Sequence, residues 1–438
     1  MGETALMTST PTLYSLYRFA TTLATPIAKR AMTRKLERQN VDPDRIPERF
    51  GHATQPRPDG QLIWFHGASV GESLSVLTLI ERLGARLPSA HFLMTSGTAT
   101  SADLVGRRLP PRTRHQFAAI DAPAPVNRFL EHWRPDAAIF VESELWPLTL
   151  TEAKSRGARL ALLNARLSYS SVRNWQKYPD TARFVLNHFS TFITQNSEAG
   201  EKLRAMGADP SRIRPGTNLK ASSAPLPVDQ GTLDQIRGAL SGRPVWIASS
   251  THPGEEEEVL KAHRALLTRH PDLCLLLAPR HPERGTEVER LIQAQGLTCA
   301  RRSTGDALQS DTQVYLADTL GEVGTWYALS PIVFLGGSLK PIGGHNPFEP
   351  AQAGAGVLTG PGVQNFAETF AAMQACGAAI QVTAARDLET ALENWLTNPA
   401  ALDTARQAAS DFVGRQDQAL DRVIDTLCQE LHLDKRDA

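Results

Sequence analysis

Residues 62–72 decide the fold, and their sequence is Leu62-Ile63-Trp64-Phe65-His66-Gly67-Ala68-Ser69-Val70-Gly71-Glu72. The apolar run predicts a buried strand, and the small residues after it predict a loop. The apolar residues that follow have helical spacing: Val76, Ile80, Leu83 and Leu87. This βα unit is the building block of an α/β sheet, whose ligands bind beyond the carboxyl ends of the strands.

Glu72 lies at the predicted start of that helix, beside a loop of small residues that lets a ligand approach the backbone closely. Two interpretations are open from this position alone. A carboxylate in a first helical turn interacts favourably with the helix dipole. The same carboxylate beside a substrate hydroxyl can act as a general base. A second half of similar construction further along the chain favours the functional interpretation.

The composition is typical of a soluble protein with two domains. The chain has 438 residues, of which 41% are hydrophobic and 21% are charged, so it is long enough for two separate cores. Its 46 Lys and Arg residues balance its 46 Asp and Glu residues, which argues against nucleic acid as a partner. Four cysteines without Cys-x-x-Cys spacing indicate free thiols in a reducing compartment rather than a zinc site.

The N-terminal segment, residues 1–40, differs from this soluble average. Residues 13–27 are apolar and aromatic but are interrupted by Arg18, and they are too short and too polar for a confident membrane span. A basic cluster follows: Lys29, Arg30, Arg34, Lys35 and Arg38. We expect this segment to associate with the cytoplasmic interface of a membrane. The alternative is a helix that folds onto the protein's own surface.

Short apolar strands alternate with helical patterns along both halves of the chain. The predicted strands are 62–65, 91–94, 137–141, 159–163 and 191–194, then 245–248, 273–277, 314–316, 332–335, 356–358 and 379–382. This alternation predicts parallel sheets with helices on both faces. A polar, proline-marked join at 221–227 separates the halves. We predict two doubly wound, Rossmann-like domains facing across a cleft, residues 41–221 and 228–438, the second with C-terminal helices.

The second half has several loops that suit a nucleotide. Residues 249–254 precede a run of acids, Glu255–Glu258, which indicates either a plain helix start or an anion site at a helix N-terminus. Arg280 follows a strand, where it can bind a phosphate or form a surface ion pair with Glu283. The loop 343–350 ends in Glu349, whose carboxylate can bind a ribose diol. Each loop alone is compatible with ordinary turn chemistry, but several such loops at strand ends predict a nucleotide pocket.

A set of motifs then occurs in order along the chain. They are His66–Glu72, Glu142-Ser143-Glu144-Leu145-Trp146-Pro147, Asn164-Ala165-Arg166-Leu167-Ser168, Asn218-Leu219-Lys220, Ser250-Thr251-His252, Ala278-Pro279-Arg280-His281 and Gly344-His345-Asn346-Pro347-Phe348-Glu349-Pro350. With them the sequence resembles the bacterial 3-deoxy-D-manno-octulosonic acid (Kdo) transferases of lipopolysaccharide synthesis, as far as about Glu349. The resemblance implies a two-domain GT-B fold. It also implies CMP-Kdo as donor substrate, a lipid A precursor as acceptor, and a location on the cytoplasmic side of the cell inner membrane.

The resemblance also assigns roles to particular residues. Glu72 matches the general base, and Glu142 and Lys220 match residues that stabilise the transition state. The segments that match the CMP contacts are Pro279 and Arg280, then Leu320, Gly321 and Glu322, then Asn346, Pro347, Phe348 and Glu349. We expect an inverting displacement without a metal ion or cofactor. The chain departs from the family near Ser170, where a basic residue is usual, and at Ala221-Ser222.

Two other functions are open at this point. A nucleotide-sugar epimerase, or another sugar-nucleotide transferase, would use the same pocket loops. A membrane-bound protein that holds a glycolipid without turnover would not need three charged groups such as Glu72, Glu142 and Lys220 together. Glu144 has the simpler expected role of bracing Trp146 or its loop.

Overall fold

The computed structural model describes residues 10–219 and 225–434, and the chain forms two compact units. The first unit comprises residues up to 223 together with those from 417 onward, and the second comprises residues 224–416. The predicted second domain, 228–438, therefore differs from the second unit at its C-terminal end.

The sheet of the first unit is wholly parallel. Its strands are β1 (Leu62–Gly67), β2 (His91–Ser96), β3 (Thr113–Phe117), β4 (Ala137–Val141), β5 (Arg159–Ala165), β6 (Phe189–Thr194) and β7 (Ile213–Pro215). Their order is β3-β2-β1-β4-β5-β6-β7. The five predicted strands are confirmed, whereas the two edge strands were not predicted. β3 is mostly polar and β7 has three residues, so neither shows the apolar run of a strand buried on both faces.

Helices cover both faces of this sheet. They are α1 (Thr12–Arg38), α2 (Val70–Ser75), α3 (Leu77–Arg86), α4 (Ala99–Gly106), α5 (Pro123–Trp133), α6 (Pro147–Ser155), α7 (Tyr169–Gln176), α8 (Pro179–Leu186) and α9 (Ser197–Ala205). Alternate residues of β1 belong to different cores: Ile63 and Phe65 to one, Leu62 and Trp64 to the other. This is the consequence of side chains alternating along a strand.

The second unit repeats this plan. Its strands are β8 (Val245–Thr251), β9 (Cys274–Pro279), β10 (Cys299–Arg301), β11 (Val314–Leu316), β12 (Ile332–Leu335), β13 (Gly356–Thr359) and β14 (Ala379–Gln381). They are parallel in the order β10-β11-β9-β8-β12-β13-β14. The predicted strands are confirmed, and the three-residue edge strand β10 was missed. The helices are α10 (Gln230–Leu240), α11 (Glu256–Leu267), α12 (Gly285–Ala294), α13 (Val323–Tyr327), α14 (Phe348–Gln352), α15 (Ala367–Ala375), α16 (Ala385–Thr397) and α17 (Pro399–Glu430).

The long helix α17 contributes to both units, which corrects the predicted C-terminal boundary. Phe412 stacks on Phe348 of the second unit, with ring centroids 5.6 Å apart. Further along, a stripe of apolar side chains enters the same core as β1: Leu420, Val423, Ile424 and Leu427. These residues have the spacing of one helix face, so burying that stripe assigns the end of the chain to the first unit.

Helix α1 packs on the first unit by one face. Tyr14 and Leu36 are buried, and the Tyr17 hydroxyl donates a hydrogen bond to Asp121 at 3.0 Å. Large apolar side chains are exposed on α1 as well: Leu16, Phe19, Leu23 and Ile27, at 59–75%. Within the described part of the chain, α1 and the other helices are too short or too polar to cross a membrane.

Each sheet has a point where the strand order reverses direction. In the first sheet it lies between β1 and β4, and in the second between β8 and β12. The crevice beyond the carboxyl ends of such strands is where open α/β sheets bind ligands. The sequence around Glu72 and Glu142 follows the first pair, and residues 252 and 336–349 follow the second.

Candidate active site

Glu72 lies in the first turn of α2, directly beyond β1. Its Oε2 accepts a hydrogen bond from the Ala68 N–H at 2.8 Å, and its Oε1 accepts one from the Ser69 hydroxyl at 2.9 Å. Burial raises the pKa of Glu72 above its ordinary value; the carboxylates of Glu144 and Glu142 act in the same direction, while the two hydrogen bonds oppose it. A carboxylate held in this way, with a raised pKa, is suited to accept a proton.

Glu144 is a second carboxylate near Glu72, but its environment is different. Its Oε2 accepts a hydrogen bond from the Trp146 indole N–H and lies 3.3 Å from Nε2 of His66. Nδ1 of His66 is in turn 2.9 Å from the Thr95 hydroxyl. Burial raises the pKa of Glu144, but the bonds from His66 and Trp146 outweigh it and leave the pKa below its ordinary value. The expected bracing of Trp146 by Glu144 is confirmed.

Glu142 occupies a strained position immediately after β4. Its φ is +59°, a left-handed conformation that costs about 1–3 kcal/mol for a residue with a side chain. The backbone is held there because the Glu142 N–H donates to the Leu163 carbonyl at 2.9 Å and the Glu142 carbonyl accepts from the Arg166 N–H at 3.3 Å. Strain of this kind is frequent at functional sites. Lys220, the third predicted residue of this half, lies outside the described residues.

Glu255 organises the corresponding point of the second unit. The side chain is fully buried and accepts backbone hydrogen bonds from His252, Gly337, Ser338 and Leu339 at 2.6–3.0 Å. The loop after β8 is thereby tied to the loop after β12. Glu255, the first acid of the run Glu255–Glu258, therefore occupies an anion-binding nest that is formed by backbone N–H groups of the protein itself.

Two histidines meet above this nest. The rings of His252 and His345 are nearly parallel, and their Nε2 atoms are 2.9 Å apart. Burial lowers the pKa of His345 to about 4, and neighbouring groups, Arg280 among them, add to the effect. Burial also lowers the pKa of His252. Both rings are therefore neutral at pH 7, so that one can donate an N–H to the other.

Arg280 is exposed at the end of β9, next to this pair. Its backbone N–H donates to the Thr251 carbonyl at 3.0 Å. The alternative ion pair with Glu283 is not formed, since Glu283 lies 3.4 Å from Nδ1 of His281 instead. In the parts of the chain that the structure describes, no carboxylate oxygen lies within 4 Å of the Arg280 guanidinium. Its charge is available to a ligand.

Glu349 and Asn346 lie together at the start of α14. The Asn346 side-chain amide donates to Oε1 of Glu349 at 3.2 Å. Burial raises the pKa of Glu349, and the Asn346 bond and the Arg280 charge oppose that rise. Pro347 and Phe348 are buried, with the Phe348 ring packed on Phe412. Those two residues can offer only their backbone to a ligand.

The third predicted segment lies after β11, at the same edge of the sheet. Leu320 is 79% exposed, and Gly321 has a φ of +86°. The Glu322 carboxylate is paired with Arg302 at 2.7 Å and accepts a hydrogen bond from the Thr319 hydroxyl. The topology brings this segment to the edge that also carries Arg280, but the Glu322 side chain is engaged locally.

Sequence reasoning missed the joint role of Glu255 and the stacked histidines. His252 and His345 are 93 residues apart, and each appeared only as part of its own motif. The glycine at position 336 was the feature of the sequence that could have indicated this contact. The structure shows why glycine is needed there, because a Cβ would lie 2.7 Å from the Ser250 carbonyl oxygen. A glycine forced by such close approach marks the place where the two loops meet.

The fold and these strand-end sites define a two-domain, Rossmann-like protein of the GT-B type. A glycosyltransferase structure from Rickettsia africae has a TM-score of 0.57 at 12% identity and covers 85% of this chain and 99% of its own. A UDP-GlcNAc 2-epimerase from Neisseria meningitidis also has a TM-score of 0.57 at 12% identity, covering 84% and 100%. At this identity the likeness shows the fold alone.

Sequence comparison identifies the family. Residues 44–223 match the model of the 3-deoxy-D-manno-octulosonic-acid transferases. A probable mitochondrial Kdo transferase from Arabidopsis thaliana is 35% identical and covers 91% of each chain. The Kdo transferase of Haemophilus influenzae is 32% identical over 87% of this chain and 90% of its own. The chain belongs to the Kdo transferase family and is a glycosyltransferase, which excludes the epimerase and the non-catalytic glycolipid-binding protein.

Proposed function

We propose that the protein transfers Kdo from CMP-Kdo to a hydroxyl of a lipid A precursor, lipid IVA, in lipopolysaccharide core biosynthesis. The reaction is an inverting displacement that uses Glu72 as its base and needs no metal ion. The observation that carries the proposal is the Glu72 site. A half-buried carboxylate with a raised pKa is fixed by two donors at the point where the strand order reverses.

The acceptor hydroxyl is a poor nucleophile until a base removes its proton. Each Glu72 oxygen accepts one hydrogen bond from the protein, and a carboxylate oxygen has two lone-pair sites. A lone pair on each oxygen is thus left for the acceptor hydroxyl. Glu142, in its strained position, and Lys220 are assigned to stabilising the transition state.

The donor half of the reaction belongs to the second unit. The leaving group is CMP, a phosphate monoester anion, and the exposed guanidinium of Arg280 is placed to balance its charge. Glu349, steadied by Asn346, is placed to accept hydrogen bonds from the ribose diol. Leu320 to Glu322 complete the CMP contacts through their backbone.

The proposed location is the cytoplasmic face of the cell inner membrane. Helix α1 exposes Phe19, Leu23 and Ile27, and a basic cluster follows them on the same helix. An apolar face next to cations is the pattern of a helix that lies in an anionic lipid interface. There the protein would meet its glycolipid acceptor.

The test is incubation with CMP-Kdo and a tetra-acylated lipid A precursor, followed by mass analysis of the lipid. We expect one or more Kdo mass increments, and none when CMP-Kdo is replaced by CMP plus free Kdo. In a parallel thermal-shift measurement CMP should stabilise the protein more than UDP does. Unmodified lipid from folded, CMP-binding protein would contradict the proposed acceptor.

A further inference from the structure

An apolar cavity of about 240 Å³ lies inside the first unit, next to the Glu72 loop. Its walls are mainly aromatic and aliphatic side chains: Trp64, Phe129, Phe140, Ile120, Val126 and Met32. We refer to it as the aromatic cavity. At about 30 Å³ for a group the size of a water molecule, it has room for on the order of eight such groups.

The aromatic cavity shares wall residues with the proposed active site. Ala68 lines it, and the Ala68 N–H is one of the two donors to Glu72. His66 and Trp146 line it too, and both contact the Glu144 carboxylate. A molecule in this cavity is therefore close to the atoms that hold the proposed base.

Arg49 adds an uncompensated positive charge to this apolar wall. One guanidinium nitrogen, Nη1, donates to the Ala118 carbonyl, whereas the buried Nε has no hydrogen-bond partner among the described residues. In that same part of the chain no carboxylate lies within 4 Å of the guanidinium; the neighbouring Glu48 is turned away to pair with Arg45 at 3.0 Å. Burial lowers the pKa of Arg49 to about 10, so it is still a cation at pH 7.

Asp121, the carboxylate of the cavity wall, is already saturated. It accepts hydrogen bonds from the Tyr17 hydroxyl, from the backbone N–H groups of Leu148 and Thr149, and from the Thr149 hydroxyl. It caps α6 and holds α1, and among the described residues it forms no ion pair with Arg49. A largely desolvated cation that has only a carbonyl oxygen as its partner is costly unless a ligand supplies an anion.

We infer that the aromatic cavity is a subsite for the acceptor glycolipid, taking a hydrocarbon chain between the aromatic rings and an adjoining phosphate on Arg49. The inference rests on the proposed function, because the cavity wall includes Ala68, whose N–H holds the proposed base, and this favours the acceptor over bulk membrane lipid. An occupant with only a hydrocarbon chain would leave Arg49 unpaired, and inorganic phosphate would leave the aromatic walls unfilled.

The binding test uses octyl phosphate, octanol and inorganic phosphate as probes in calorimetric titrations of the full chain. We expect octyl phosphate to bind more tightly than either of the others. Arg49→Gln should weaken octyl phosphate by roughly tenfold or more, the value of a charged hydrogen bond, and leave octanol unchanged. Arg49→Lys should restore much of the loss. Arg107→Gln is the matched control, since Arg107 is an exposed cation paired with Asp103 on α4.

A cavity-filling variant makes the test independent of Arg49. Ala119 lines the aromatic cavity, so Ala119→Phe should block octyl phosphate while CMP binding and the circular dichroism spectrum are kept. Octyl phosphate binding that is unchanged in Arg49→Gln, or in folded Ala119→Phe, would overturn the inference. So would equal affinity for octyl phosphate and inorganic phosphate.

Transfer kinetics then distinguish the acceptor from bulk lipid. Octyl phosphate should inhibit competitively against the glycolipid acceptor and not against CMP-Kdo. If it only releases the protein from vesicles without competing with the acceptor, the cavity binds bulk lipid and the inference is wrong. The titrations need no turnover, so the two hypotheses can fail separately. Wild-type protein that binds octyl phosphate but transfers no Kdo counts against the proposed function. Active protein that does not bind octyl phosphate counts against the subsite alone.

Discussion

At the scale of single residues, two neighbouring acids of the first unit illustrate how environment assigns a role. Glu72 is half-buried, and this burial raises its pKa although two neutral donors oppose the rise. Glu144 is buried beside His66 and an indole N–H, so its pKa falls. Acids whose environments move their pKa values apart are suited to different tasks. Glu72 is the group placed to take up a proton, and Glu144 is the group that holds the loop.

Glu72→Gln should lower Kdo transfer by roughly a hundredfold or more, because the amide keeps the size of the side chain but cannot act as the base. Since the pKa of Glu72 is raised, wild-type transfer should fall as the pH falls through that raised value. Initial rates between pH 5 and 8 measure both effects. Glu81→Gln on the exposed side of α3 is the matched control. Near-normal transfer by Glu72→Gln would remove Glu72 as the base.

Arg280→Ala should weaken CMP binding by about 1.5 kcal/mol, the lower end for a charged hydrogen bond, because the guanidinium is exposed to solvent. The melting temperature should barely change, since the side chain makes no ion pair within the described residues. Titration calorimetry with CMP is the measurement, and exposed Arg290→Ala is the control. Unaltered affinity would exclude Arg280 from the phosphate site.

At the scale of elements, the loops after β8 and β12 are joined through one buried carboxylate. Four backbone N–H groups converge on Glu255. This positions His252 and the turn from Gly336 to Ser338, so the proposed donor site depends on a residue that need not touch the donor.

Glu255→Gln should lower the free energy of unfolding by about 3 kcal/mol or more, because an amide NH₂ would face backbone donors in a buried site. Urea denaturation monitored by fluorescence measures the loss. Glu257→Gln, the same change in the same acid run, is the control. One Glu257 oxygen is buried without a hydrogen-bond partner in the described chain, so an amide NH₂ at that position would not face backbone donors as it would at Glu255. Equal stabilities for the two variants would contradict this role for Glu255.

The exposed face of α1 makes a separate prediction. Phe19→Gln combined with Leu23→Gln should reduce binding to anionic vesicles by at least about tenfold, because each side chain of this size contributes roughly 1.5–3 kcal/mol when buried. Replacing Lys29, Arg30, Arg34 and Lys35 together should make the remaining binding less sensitive to salt.

Vesicle co-sedimentation measures this, and CMP affinity should be retained in both variants. Removing four exposed cations elsewhere, Arg107, Arg108, Arg264 and Arg290, is the control for net charge. If the α1 variants sediment like wild type, the contact with lipid lies elsewhere on the protein.

At the scale of the whole molecule, stability should depend on buried neutral histidines in both units. Burial lowers the pKa of His115 to about 3 and that of His263 and His345 to about 4. His263 is fixed as a neutral ring, because the Trp246 indole donates to its Nδ1 at 3.2 Å and its Nε2 lies 3.0 Å from the Gln313 carbonyl. A proton on Nδ1 of His263 would point at the Trp246 indole N–H, so the protonated ring would lose that hydrogen bond.

The stability of the protein should fall as the pH falls from about 6.5 to about 4. In that window the unfolded chain, whose imidazoles have pKa values near 6.5, binds protons that the folded chain excludes. His263→Gln should reduce the slope of the free energy of unfolding against pH by about one proton. Urea titrations at pH 7, 6 and 5 test this, with exposed His432→Gln as control. A slope that His263→Gln leaves unchanged would contradict the assignment.

The sequence was informative wherever one local pattern had one structural outcome. Apolar runs such as residues 62–65 and 245–248 could be assigned to strands, because a parallel strand is buried on both faces and must be apolar along its length. The edge strand Thr113–Phe117 lacks that requirement, and its mostly polar residues carried no strand signal. The motif that contains Glu72 likewise predicted both its helix start and its placement beyond a strand.

By itself, therefore, the sequence determined the two α/β halves, the family and the acid at the head of α2, since these depend on local periodicity and on ordered motifs. Only the tertiary structure decided that Phe348 packs on Phe412, that residues 417–434 belong to the first unit, and that His252 meets His345. It also decided that Arg49 lies in the wall of the aromatic cavity, with no carboxylate within 4 Å among the described residues. Contacts between residues far apart in the chain are selected by the packing of whole elements, and no local pattern in the sequence records them.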